Sequence, residues 1–427
     1  MEIINGEQIA GFLARFESRR SSVAEEVERQ VAAILAAVKQ EGDAAFFEFG
    51  KRFDGVDYHR FPLQITVEEL EQAHRSTDPQ LLSVIREARD NIRRFHERGM
   101  PQSWLTWEED GVVLGQRVLP LERVGIYVPG GRAAYPSSLL MGAVPAQTAG
   151  VKEIVIVTPC NAQGEANPLI LAAAYELGIR QVFRIGGAQA IAALAYGTQS
   201  VPRVDKIVGP GNIYVATAKK MLYGQCGIDM VAGPSEVLII ADESADPRFV
   251  AADLLAQAEH DPLASAVLVT DSAALAQRTA EEIDLQSAQL SRRAVVEDAL
   301  RNYGGIILCR SLEECAEISN RLAPEHLGLH VQKPWELLPL IRHAGAIFLG
   351  HYSPEAVGDY WAGPNHVLPT NGSARFFSPL RTEDFVKTSS LVAYSPEALR
   401  KHGEKIERFA LAEGLDAHAA AVRRRLS

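Results

Sequence analysis

The chain has 427 residues, of which 47% are hydrophobic and 23% charged, and its formal net charge is −11. So long a chain requires two or more cores, and the composition is that of a soluble globular protein. The negative balance, with no long Lys/Arg block, excludes a nucleic-acid surface. Arg423-Arg424-Arg425 is only a short basic run at the end of an expected helix, where the dipole favours cations. Residues 1–30 contain no apolar signal-type region, and no window approaches the roughly 18 uninterrupted apolar residues of a membrane span. A cytoplasmic protein without membrane contact is therefore expected. Cys160, Cys226, Cys309 and Cys315 are scattered, form no C-x-x-C pair, and read as reduced thiols.

Residues 1–100 read as helices. Apolar positions recur at helical spacing over 23–39 and 79–98, with Pro79 suited to a first turn and Gly99 to a stop. His59, His74 and His96 fall on polar faces there and read as solvated. Residues 104–121 switch to alternation around Asp110-Gly111, the mark of a hairpin. From Val124 apolar strands alternate with helices: strands at 125–129, EIVIVT, QVFRIG and DKIVG, and helices over 139–149, 168–177, 189–196 and 212–222. A second series follows, with strands at 236–241, 265–270, GIILC and 346–350 and helices between them. Such alternation predicts α/β lobes whose parallel sheets are covered on both faces. Residues 363–382, rich in Gly, Pro, Ser and Asn, read as a long loop of the kind that often carries function. Two helices, 396–411 and 415–426, are split by Gly414.

Three features could carry chemistry. Glu325-His326 sets a carboxylate beside an imidazole, the two side chains most used as general bases near neutral pH. Adjacent side chains diverge, so the pair can flank a small molecule; it could equally be an idle surface pair or ligate a metal. Gln257 and His260 share one face near a helix end that Pro262 closes, and eight of the eleven histidines fall at or after position 260. With Asp359 and His418 they could form a site for zinc or a similar borderline divalent ion, or Gln-x-x-His could be no more than a polar helix end. The glycine-rich segments ending at Gly130-Gly131, Gly186-Gly187 and Gly209-Pro210-Gly211 each follow a strand and open a helix. Helix N-termini at a sheet's carboxyl edge favour phosphate. None is G-x-G-x-x-G, so either an atypical dinucleotide grip or plain tight turns would account for them.

Together the segments ERVGIYVPGG with YPSS, GGAQAIAALAYGT, VGPGN, AGPSE, QAEHDP, APEHL, EAVGDYWAGPNHVLPT and EGLDAHAAAV resemble the histidinol dehydrogenase family nearly end to end. The resemblance implies two incomplete Rossmann-like lobes, a helical N-terminal region, and a C-terminal helical tail exchanged in a homodimer with shared active sites. The chain would then divide into an N-terminal helical segment (1–22) and helices plus hairpin packing with the second lobe (23–123). The NAD-side lobe (124–235), the second lobe (236–380) and the tail with its dimerisation helices (381–427) would follow. It also implies Glu325 and His326 as the catalytic pair and Gln257, His260, Asp359 and His418 as ligands of one Zn²⁺ per subunit. Ser235, His366 and Glu413, together with Gln257, His260, His326, Asp359 and His418, would contact substrate; Tyr127, Gln189 and Asn212 would contact NAD.

The implied reaction takes L-histidinol through a bound aldehyde to L-histidine, with two NAD consumed. Glu413 and His366 suit a substrate bearing an amine and an imidazole. A related dehydrogenase of another primary alcohol, a zinc hydrolase using Glu325 to activate water, and a silent metal-binding protein are the alternative expectations.

Overall fold

The computed structural model describes residues 1–19, 25–130 and 135–427. Gly131 of the first glycine-rich turn, and the first residues of the helix expected from 23, lie outside the described residues.

The N-terminal segment is not wholly helical. Strand β1 (Ile3–Ile4) precedes helix Gln8–Arg19 and pairs in parallel with Ile306-Ile307, and Phe12, Leu13 and Phe16 pack beneath it. The hairpin forms as expected: β2 (Trp104–Trp107) and β3 (Val113–Pro120) are antiparallel, with Trp104 opposite Gln116. Asp110 and Gly111 take φ of 59° and 77° at its turn, a region that Asp and Gly tolerate.

The first lobe contains β4 (Arg123–Tyr127), β5 (Glu153–Val157), β6 (Gln181–Phe183), β7 (Lys206–Val208) and β8 (Gly227–Ile228), all parallel in the order β6-β5-β4-β7-β8. The second contains β9 (Glu236–Ala241), β10 (Ser265–Thr270), β11 (Gly304–Leu308), β12 (His326–His330) and β13 (Ala346–Leu349), in the order β1-β11-β10-β9-β12-β13. In each lobe the first strand has its successors on one side and the later pair on the other. Strand residues alternate between cores: Leu238 and Ile240 join one apolar cluster, Val237 and Ile239 another. That two-sided burial explains why these strands read as continuous apolar runs. Among the described residues no helix is long and apolar enough to cross a membrane.

One packing expectation is corrected. The helices of 23–123 mainly cover the first lobe, and touch the second where Asn91 donates to Trp361 O. Val31, Ile34 and Val38 pack with Ile191 and Leu194 on one face of its sheet, while Leu70, Ile85 and Ile92 pack with Leu140, Val144 and Ile170 on the other. Two histidines there are not simply solvated: His96 is 3% exposed, and His74 bonds Glu176. A further strand, β14 (Val386–Ala393), joins β3 on the side opposite β2.

Candidate active site

Helix Leu312–Leu322 ends at Ala323, which adopts a left-handed φ of 50° and returns its N–H to Ser319 O at 2.7 Å. Pro324 cannot continue a helix, so the chain turns directly into β12. His326 then lies between Val237 of β9 and Ala346 of β13, at the amino edge of the second sheet. Glu325 and His326 both dock on the backbone of one residue. Glu325 Oε2 accepts from Glu236 N–H at 2.9 Å, and His326 Nδ1 lies 3.1 Å from Glu236 O. A carbonyl can only accept, so Nδ1 carries the proton and Nε2 of the neutral ring presents a lone pair. Nε2 is buried without a hydrogen-bond partner, 3.6 Å from Glu355 Oε1 and 4.0 Å from Asp359 Oδ1.

Both carboxylates come from the short helix Glu355–Tyr360, where i and i+4 share a face. Gln257, near the end of helix Pro247–Ala258, is oriented by its neighbours: its amide donates to Glu355 at 2.6 and 2.9 Å and accepts from Glu236 N–H at 3.2 Å. His366 Nδ1 lies 3.8 Å from Asp359, and its Nε2 is 3.5 Å from Ser138 Oγ of the first lobe. Ser235 immediately precedes β9, and Ser265 N–H bonds its carbonyl. His260, just past the helix end, is exposed, yet close enough to act electrostatically on His326 and His366.

Burial dominates the electrostatics. It pushes Glu325 and Glu355 well above the usual carboxylate range, helped by Glu236, Glu355 and Asp359 around Glu325 and by Asp359 and Asp253 around Glu355, and raises Asp359 to about 6. It also pulls His326 down to about 3 and His366 to about 4. Crowded buried acids beside an unpartnered imidazole nitrogen form a place where a cation relieves unfavourable charge. His326, Glu355 and Asp359 each offer a ligand atom within 4.8 Å of the others, and the Gln257 amide nitrogen donates to Glu355 beside them. This nitrogen and oxygen donor set fits zinc or a similar borderline ion.

The three expected cofactor contacts gather at the carboxyl edge of the first sheet. Tyr127 ends β4, and its hydroxyl accepts from Gly187 N–H at 3.3 Å. Gln189, buried in the helix that Gly187 opens, donates to Asp54 Oδ2 at 3.1 Å. Asn212 caps the helix after β7 through Tyr214 and Val215 N–H. By contrast, Glu413 and His418 lie exposed on the tail, and among the described residues neither side chain makes a hydrogen bond or ion pair. Helix Pro396–Ala412 is pinned to the hairpin tip, where Ser395 Oγ and Lys401 both bond Asp110. Within one chain Gln257, His326, Asp359 and His366 come together around Glu355, while Glu413 and His418 stand exposed on the tail.

Glu355 and Asp54 were not foreseen. The only available signal for Glu355 was its spacing of four from Asp359 on a short helix.

The histidinol dehydrogenase family model matches residues 17–426. A histidinol dehydrogenase of Syntrophotalea carbinolica is 54% identical over 414 residues, 97% of this chain and 96% of the relative. One of Geobacillus kaustophilus is 54% identical over 402 residues, covering 94% of each. The crystal structure of histidinol dehydrogenase from Elizabethkingia anophelis superposes with a TM-score of 0.94 at 36% identity, covering 100% of this chain and 98% of that one. The chain belongs to the histidinol dehydrogenase family.

Proposed function

We propose that the protein oxidises L-histidinol to L-histidine in histidine biosynthesis, in the cytoplasm, by two successive hydride transfers to NAD with the aldehyde kept bound. The observation that carries the reading is the docking of Glu325 and His326 on the two sides of Glu236, which leaves one open imidazole lone pair beside acidic groups. His326 Nε2 takes the alcohol proton as the carbinol hydride leaves. The imidazolium so formed is favoured by the Glu236 carbonyl on Nδ1 and by Glu325 at 3.7 Å, Glu355 and Asp359. Glu325, whose proton affinity burial raises, draws a proton from the water that adds to the aldehyde. Once His326 has passed its first proton to solvent, its freed Nε2 takes a proton from the diol as the second hydride leaves. Retaining the aldehyde in a closed site suppresses its side reactions.

Gln257, His260, Asp359 and His418 would hold the metal, with Glu355 orienting Gln257, and of the clustered groups His326 would stay off the metal so that its Nε2 is free for the proton. A Zn²⁺ held there would supply a positive charge that orients the substrate. Ser235, His366 and Glu413 would complete the substrate pocket, while Tyr127, Gln189 and Asn212 would receive NAD at the first lobe's carboxyl edge. His418 and Glu413 would come from a second copy. What supports this is a tail that packs on the hairpin and leaves Phe409 70% and Trp107 74% exposed, apolar surface of the kind a homodimer covers.

Glu325→Gln tests the division of labour. It should slow aldehyde oxidation by about 10²- to 10⁴-fold while alcohol oxidation falls much less. Equal losses in the two half-reactions would remove the water-activating role.

A further inference from the structure

Strand β7 passes into its helix, Ile213–Leu222, through Gly209-Pro210-Gly211-Asn212. Gly209 has φ +113°, a conformation that side chains rarely adopt, and a Cβ there would lie 2.2 Å from the Tyr127 carbonyl oxygen. The exits of β4 and β7 are thus pressed together where the strand order reverses, the crevice in which open α/β sheets bind ligands.

Both peptide groups of Gly209 are tied by one buried ion pair. Lys219 Nζ donates to Gly209 O at 2.9 Å, and Asp229 Oδ2 accepts from Gly209 N–H at 2.8 Å. Asp229 Oδ1 accepts from Met230 N–H at 2.7 Å and contacts the Lys219 ammonium. These side chains are 3% and 1% exposed. Stability alone does not account for such a pair, since apolar residues of similar volume commonly serve a core as well or better. What the charges do here is fix a single glycine from both sides, beside Tyr127 and three residues before Asn212.

We infer that Lys219 and Asp229 are positioning residues for the dinucleotide, holding the Gly209–Asn212 turn in its binding form before NAD arrives. The inference rests on the NAD reading above. Neither residue reaches the cofactor; both act through the turn.

Two measurements on the intact enzyme test it. In wild-type protein, hydrogen exchange at the Gly209 amide should be equally slow with and without NAD. The paired variant K219M/D229L removes both charges and unties the turn. It should keep kcat within about twofold at saturating NAD and leave the KM for histidinol unchanged, while the KM for NAD rises about tenfold or more, as expected when the competent turn is only fractionally populated. K219M/D229N, which retains an acceptor for Gly209 N–H, should recover part of that loss. A wild-type KM for NAD in K219M/D229L overturns the inference. So does a Gly209 amide that exchanges quickly until NAD slows it, a result that stands even if the variants do not fold. A wild-type protein to which NAD does not bind by calorimetry overturns the cofactor reading, and this inference falls with it.

Discussion

Burial shifts the titrating side chains of the site, and some outside it. His96 shows the effect in isolation: its Nε2 has no hydrogen-bond partner among the described residues, and burial lowers its pKa from 6.5 to about 4. As pH falls through 6.5 the unfolded chain takes the proton first, so stability is full above that value and is lost progressively down to about 4. The loss approaches about 3 kcal/mol at its acid limit. His96→Leu should therefore shrink the fall in unfolding free energy between pH 7 and 4.5 by roughly 2 kcal/mol, measured by urea denaturation at each pH. An unchanged pH slope would show that His96 is not held neutral. Asp253 and Asp359, raised to about 6 by burial, act in the opposite direction, but equally in both proteins. At this scale the sequence was partly legible. Glu325-His326 stands out because two base-forming side chains are adjacent. Glu355 is one acid among 54 Asp and Glu, and only folding shows that it is buried against Gln257 and His326.

Among elements, the strands with two buried faces were the easiest to read, since EVLIIA and SAVLVT contain the unbroken apolar runs VLIIA and AVLV. Among the described residues four strands were hidden. Strands β1 and β8 are too short for any period, and β12 carries two histidines and a glycine within a fully buried stretch. Strand β14 is exposed on both faces in a single chain, so it shows no core-facing alternation. The glycine-rich turns were visible, but the force that shapes the one after β7 lies elsewhere in sequence, in Lys219 and Asp229. Gly209→Ala should destabilise the protein by more than about 1 kcal/mol, because the new Cβ must displace the Tyr127 backbone. A melting temperature equal to wild type would mean that β4 and β7 are not closely opposed there.

For the molecule as a whole, the two lobes present opposite sheet edges to the site: the first its carboxyl edge, the second its amino edge. Carboxyl-edge reasoning from sequence pointed to the glycine-rich turns of the first lobe but could not place Glu325 and His326, because strand direction relative to the other lobe follows only from the assembled fold. The tail residues Glu413 and His418 remain outside the site of their own chain, so completion by a second copy is the natural reading. Inactive His326→Ala subunits mixed with inactive His418→Ala subunits should regain activity, about a quarter of wild type for random exchange and independent sites. Failure to recover any after verified exchange would show that each site is built from one chain. The central claim, a four-electron oxidation with the aldehyde retained, is tested most directly by counting NADH. Limiting L-histidinol should yield two equivalents of NADH per L-histidine formed, with no aldehyde in solution; one equivalent with free aldehyde, or no NADH at all, would contradict it.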